Sequence, residues 1–332
     1  MKALRSNSIC TASTLPLAMP AWSTLFLALF ASCGAVSPED DGQVNHSTPS
    51  TTNNNKPSTT ALGNPHSGEI PVLTQNEVIV ECERHIRAWQ VRNSNRRNDP
   101  TGSGIKILEE ATQVFVGKYI GELSEVAIGG QDRPRGIAST ALGFSKDPTV
   151  LPILLNNLSD SSDLVVANTL FGLAMYGDPD IPLSGLEAAI LRPKASLGLL
   201  RNAAFALVRL AQVRQQAIPP KPVSEDWGRL LAHLLSRPEP EIRAQGATGL
   251  GYLRAGSAVP RLANMLAGDP ESRVRFAAAF ALGEIGSKAA TTDLLGALSD
   301  PDSMTAGAAR AALTKIVGRD FGPNPEAWKE QL

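Results

Sequence analysis

The sequence is short of cysteine, of aromatic residues and of net charge, and each shortage excludes a class of protein. Three cysteines in 332 residues, at positions 10, 33 and 82, cannot build a disulfide framework or a thiolate-rich zinc site. Aromatic residues make up 5% of the chain, too few for an aromatic-rich β-sandwich. Lys and Arg total 31 against 32 Asp and Glu, a net charge of −1, which argues against a strongly basic nucleic-acid binder or a polybasic membrane binder. No stretch reaches the roughly 18–20 consecutive apolar residues of a membrane-spanning helix. What the later part of the chain has in abundance is Ala, Leu and Gly, which is expected of closely packed helices with small side chains at their contacts.

The N-terminus reads as an export signal. Lys2 and Arg5 precede the apolar run AWSTLFLALFAS at residues 21–32, the size of a secretory hydrophobic region and too short to span a bilayer. The run ends in LFASCG, which resembles a bacterial lipoprotein signal with Cys33 as the acylated new N-terminus; Phe30 departs from the usual pattern, with Leu29 one step early. Residues 34–70, rich in Ser, Thr, Asn and Pro and without an aromatic, cannot bury enough surface to offset their ordering entropy. They are expected to form a disordered tether with a reach of roughly 30–35 Å. The folded part is expected over residues 71–332.

Ile79, Cys82, Ile86 and Trp89 mark one face of a helix, and Ile105, Leu108, Thr112, Phe115, Tyr119 and Leu123 mark a second, giving an N-terminal helical pair. Cys82 falls on the buried stripe and reads as a core residue. From residue 132 the chain repeats itself. Leu142, Leu173, Leu207, Leu250, Leu282 and Leu313 sit at equivalent places in Ala- and Gly-rich segments, 31, 34, 43, 32 and 31 residues apart. A second apolar stretch follows most of them, clearest in PILLNNL, PRLANML and TDLLGAL. A period near 31 built of two helices predicts an all-α, right-handed solenoid of about six hairpins stacked on a continuous core. Pro152 and Pro260 suit first helical turns, and Asp-Pro pairs at 147, 178, 269 and 300 mark turns.

The pattern from Val274 to Gly286, V-R-x-x-A-A-x-A-L-G-x-I-G, resembles the short HEAT-like repeats named after phycobilisome lyases, over about residues 132–320. That resemblance implies that Arg135, Arg243 and Arg275, each seven residues before a central leucine, pair with loop aspartates in a structural ladder. Asp269 with Arg275 matches the pair best. Val166, Leu200 and Ala306 take the Arg position elsewhere, with Arg201 one residue off. The ending GRDFGPNPEAWKEQL resembles C-terminal tails of such proteins, with Phe321 and Trp328 expected to cover the last hairpin.

Candidate chemistry is sparse. HEAT-like hydroxylases hold iron with paired His-Glu steps, and this chain has no His-Glu dipeptide; it also lacks H-E-x-x-H, C-x-x-C and G-x-S-x-G. The remaining histidines are His46, His66, His85 and His233, the last expected in core or rim packing. GEIGSK at 283–288 has the wrong glycine spacing for a phosphate loop. No catalytic residue, metal site or cofactor is expected. Arg84, Arg87, Arg92, Arg96 and Arg97 read as a solvated helix end, with docking to an anionic surface as the alternative. The insertion AQVRQQAIPPKPVSEDW at 211–227 reads as a tolerated loop or a partner-docking element.

Together these features suggest a non-catalytic protein-binding scaffold, lipid-anchored through Cys33 in a bacterial envelope. Its partner would be a protein or peptide and not a nucleic acid. The expected contacts are polar positions of the second helices, taken as an inner row: Asn156, Arg229, Arg261, Asn264 and Asp293. The rival is a HEAT-repeat enzyme of lyase or hydroxylase type.

Overall fold

Apolar residues spaced three and four apart give helices throughout the computed structural model, which describes residues 73–94, 101–221 and 224–330. The signal segment with Cys33, the tether, and Arg96 and Arg97 lie outside these residues. Among the described residues there is no strand. The first helices are α1 (Gln75–Ser94), α2 (Ser103–Lys118) and α3 (Ile120–Gly129). The stripe from Ile105 to Leu123 is therefore two helices and not one. The chain breaks at Tyr119 (φ −115°, ψ 25°), and α3 turns away to pack on the first repeat.

Two kinds of helix then alternate. The Ala-rich helices are α4 (Asp132–Ser145), α6 (Asp163–Tyr176), α8 (Leu197–Gln216), α10 (Pro240–Tyr252), α12 (Ser272–Ile285) and α14 (Ser303–Val317). The short helices between them are α5 (Leu151–Asn157), α7 (Leu183–Ile190), α9 (Glu225–Leu234), α11 (Val259–Gly268) and α13 (Thr291–Ala297), and α15 (Pro325–Lys329) ends the chain. All six central leucines are essentially inaccessible to solvent, and the buried side chains form one continuous cluster from Val78 to Trp328. Each buried leucine contributes about 1.5–3 kcal/mol relative to exposure.

The sequence period leaves the phase of the hairpin open, and packing fixes it. Each short helix packs more on the Ala-rich helix that follows it than on the one before, across a loop that carries Asp160, Asp269 or Asp300 in three of the repeats. The six hairpins are thus α3–α4, α5–α6, α7–α8, α9–α10, α11–α12 and α13–α14, preceded by the α1–α2 pair.

Small residues set the spacing of the Ala-rich row. A Cβ on Gly143 would lie 2.0 Å from the carbonyl oxygen of Gly172, and one on Gly283 would lie 2.7 Å from Cβ of Ala312. Gly251 meets Ala281 in the same way. In each case the residue after one central leucine touches the residue before the next, so the backbones meet without side chains between them. Neighbouring short helices touch far less. The closely spaced row lies at the smaller radius, which makes the Ala-rich helices the inner row and the short helices the outer one.

The insertion is mostly helix: α8 runs on to Gln216. Arg214 donates to the carbonyl of Pro179 and lies over the ring of Trp227 at 5.2 Å, while Lys221 pairs with Asp180 at 3.0 Å. At the far end, Trp328 is fully buried and donates from Nε1 to the carbonyl of Gly322 at 2.8 Å, and Phe321 meets its ring edge-on at 5.1 Å. The short helix α15 rests on α13, where the next outer helix of the stack would lie. Arg310 clamps this tail through Asp320, whose carboxyl the guanidinium lowers to about 2.

Candidate functional site

The loop aspartates and helix arginines form a ladder, shifted by one repeat from the expected pairing. Arg243 grips Asp269 with two bonds of 2.9 Å, and Arg275 grips Asp300 at 2.7 and 2.9 Å. Arg275 reaches Asp269 only through its backbone carbonyl. Arg135 bonds Asp160 in the same forward sense, and the offset Arg201 takes Glu241 instead. Bidentate bonding by Arg275 holds the Asp300 carboxyl below its usual range. Every one of these arginines is engaged in joining adjacent hairpins.

The five positions chosen as a partner-contacting inner row lie on the outer row. Asn156, Arg229, Arg261 and Asn264 are exposed there and Asp293 is half-buried. Arg229 pairs with Glu187 and Asp226, and Arg261 donates to Ser236. His233, expected to pack in the core or rim, is exposed on α9. In the Arg cluster, Arg84 pairs with Glu81 and Arg87 with Glu83. His85 stacks on Phe115 at 5.2 Å with its Nδ1 3.2 Å from the Thr112 hydroxyl, and burial pushes its pKa down. Burial likewise pushes the Cys82 thiol up to about 12, away from any thiolate chemistry.

The feature that residue patterns missed is the position of α1. It lies against the inner row and plants Trp89 edge-on against Phe144, Phe171 and Phe205, at 6.2, 5.5 and 6.5 Å. Those three phenylalanines come from α4, α6 and α8, so one indole spans three repeats. Its Nε1 donates to Glu109 at 3.0 Å. Beside this contact a half-open cleft of about 430 Å³ remains between α1 and the inner row. Ile86, Ile137, Leu164, Ala167 and Phe171 line it with carbon, and Glu83, Arg87 and Arg133 are its charged lining residues. Both guanidiniums hold the same Glu83 oxygen, at 2.9 and 3.0 Å. Asn168 and Asn202 complete the wall, each donating its amide N–H to a backbone carbonyl at 2.9 Å. Among the described residues no group of three or more His, Cys, Asp or Glu side chains is placed to hold a metal ion.

Residues 229–314 match the family model for HEAT repeats. The match runs from α9 into α14. Among solved structures, an engineered protein is similar at 19% identity and a TM-score of 0.48, over 59% of this chain and 95% of its own. A designed armadillo repeat protein in complex with the peptide (KR)4 is 18% identical with a TM-score of 0.41, over 61% of this chain and 94% of its own. The phycocyanin lyase complex from Nostoc sp. is 17% identical with a TM-score of 0.37, over 78% of this chain and 92% of its own. No curated protein matches the chain in sequence.

Proposed function

We propose that the chain is a non-catalytic scaffold that binds a segment of a protein partner on its inner face. The observation that carries this is the cleft between α1 and the inner row, a preformed concavity with carbon walls and a few polar groups. That is the composition of a recognition site. The ionisable residues near it are tied into ion pairs and the Cys82 thiol is buried, which favours binding over catalysis. In the same proposal the solenoid is carried on the 34–70 tether from a lipid at Cys33, facing a bacterial envelope compartment. Support for the anchor comes from the sequence alone: the short apolar run, the LFASCG ending and the Ser/Thr/Asn/Pro-rich stretch after it. Among the described residues no helix is long and apolar enough to cross a membrane.

Crosslinking pull-down from envelope fractions tests the scaffold. A specific protein partner is expected, whereas a stoichiometric metal or cofactor in the pure protein, with turnover of a small molecule, would contradict it. Mass spectrometry of the mature N-terminus tests the anchor separately. Acylated Cys33 is expected, and an unmodified Cys33 or a different N-terminus would refute it.

A further inference from the structure

The cleft is unbalanced in charge. Glu83 is the only carboxylate among its lining residues and faces two guanidiniums, Arg87 and Arg133, leaving one net positive charge at the mouth. Both cations keep about two thirds of their side-chain surface exposed, 64% and 66%, so their outer N–H groups are open to a further acceptor. The cleft also crosses the second residues of α4, α6 and α8 (Arg133, Leu164 and Gly198), where three helix starts present their positive dipole ends. The acids at those starts are already matched, Asp132 by Arg135 and Asp163 by Arg192. Behind the charged mouth stand Ile86, Ile137 and Phe171. A polyanion such as nucleic acid would gain nothing from that apolar wall, and a basic segment would be repelled at the mouth.

We propose that this cleft receives an extended peptide segment of the partner, one carrying Asp or Glu within two residues of a large apolar side chain. The site presupposes the scaffold function proposed above and supplies its ligand chemistry. The apolar side chain enters between α1 and α6, and the carboxylate joins Glu83 as a second acceptor for Arg87 and Arg133. Asn202, whose amide N–H donates to the Ala167 carbonyl, offers its oxygen to a donor of the bound backbone, while the Asn168 oxygen also accepts from the Thr140 hydroxyl at 3.4 Å. A volume near 430 Å³ sits at the small end of ligand sites, which span about 300–1,000 Å³. It suits a short linear segment and not a folded domain.

Selection of a random heptapeptide display library on the full chain tests this, with two variants in parallel: Arg87→Glu/Arg133→Glu, which reverses the mouth, and Gln90→Trp, which obstructs the cleft. All three altered side chains line the cleft; the charge reversal also removes both partners of Glu83 and should lower the melting temperature, so Gln90→Trp, which leaves those ion pairs in place, keeps the test independent of folding. Enriched peptides are expected to place Asp or Glu within two positions of Leu, Ile or Phe. A fluorescein-labelled peptide of the enriched sequence should bind both variants at least tenfold more weakly, and should weaken with added salt. An enriched sequence that is basic or uncharged would overturn the ligand class and leave the scaffold standing. Equal binding to parent and variants would overturn the site. No enrichment at all would overturn the proposal, with the envelope crosslinking alone then deciding the scaffold.

Discussion

Single atoms decide how closely the inner helices approach, and the glycines show it most directly. Gly143→Ala would drive a methyl group into the backbone of Gly172, 2.0 Å from its carbonyl oxygen. It should cost at least ~1–3 kcal/mol, the range for overpacking, whereas Gly296→Ala on α13 meets nothing within 4 Å and should be neutral or stabilising by up to ~1 kcal/mol. Urea unfolding of the two variants checks the contrast. The ladder has a pH signature of its own. Asp300 is held below its ordinary value of 3.8 by Arg275, so the unfolded chain binds its proton first as pH falls. Stability from the pair is fully present above about pH 4 and is lost as pH drops through the folded-state value. Asp300→Asn should therefore lower the melting temperature at neutral pH, and the gap to the parent should narrow as pH falls below the ordinary carboxylate value of 3.8. The ladder arginines were implied by the resemblance to HEAT-like repeats, at the place seven residues before the central leucines. Their partners were not legible, because a repeating Asp allows pairing within a repeat or forward to the next, and only the fold chooses. The reach is forward, 25 or 26 residues on, from Arg243 to Asp269 and Arg275 to Asp300.

For the helices, periodicity specified existence and order but neither phase nor side. An alternation of Ala-rich and short helices can be cut into hairpins in two ways, and both cuts keep the same period of about 31. Polarity then pointed to the short helices as the working row, since Asn156, Arg229 and Asn264 looked available. Curvature comes instead from the smallest residues. The Leu-Gly step at 142–143, 250–251 and 282–283 was the signal for the inner row. Phe144, Phe171 and Phe205 were the signal for what covers it. If α1 is held by that contact, Trp89→Ala should cost ~3–5 kcal/mol. It should also raise hydrogen exchange in α1 and α2 before the later repeats are affected. Loss of protection spread evenly along the chain would mean that α1 is not a separately docked element.

The whole molecule is a stack that needs closing at both ends. α1 and α2 cover the first hairpin, and α15 covers the last through Trp328. Trp328→Ala removes a fully buried indole and its bond to Gly322, so a loss of ~3–5 kcal/mol and a clear fall in melting temperature are expected. An unchanged melting temperature would show that the tail only rests on the stack. Arg229 on the outer row is held by Glu187, whereas the inner cleft presents apolar lining beside open guanidinium groups, so the proposed partner site lies on the inner face. Its position can be tested in living cells by placing a photo-activated benzoylphenylalanine at Gln90, in the lining of the cleft, or at Asn264, on the outer row, and mapping the adducts by mass spectrometry. The account predicts a discrete partner peptide joined to position 90, acidic and apolar in sequence, and none at position 264. Adducts confined to position 264 would contradict it.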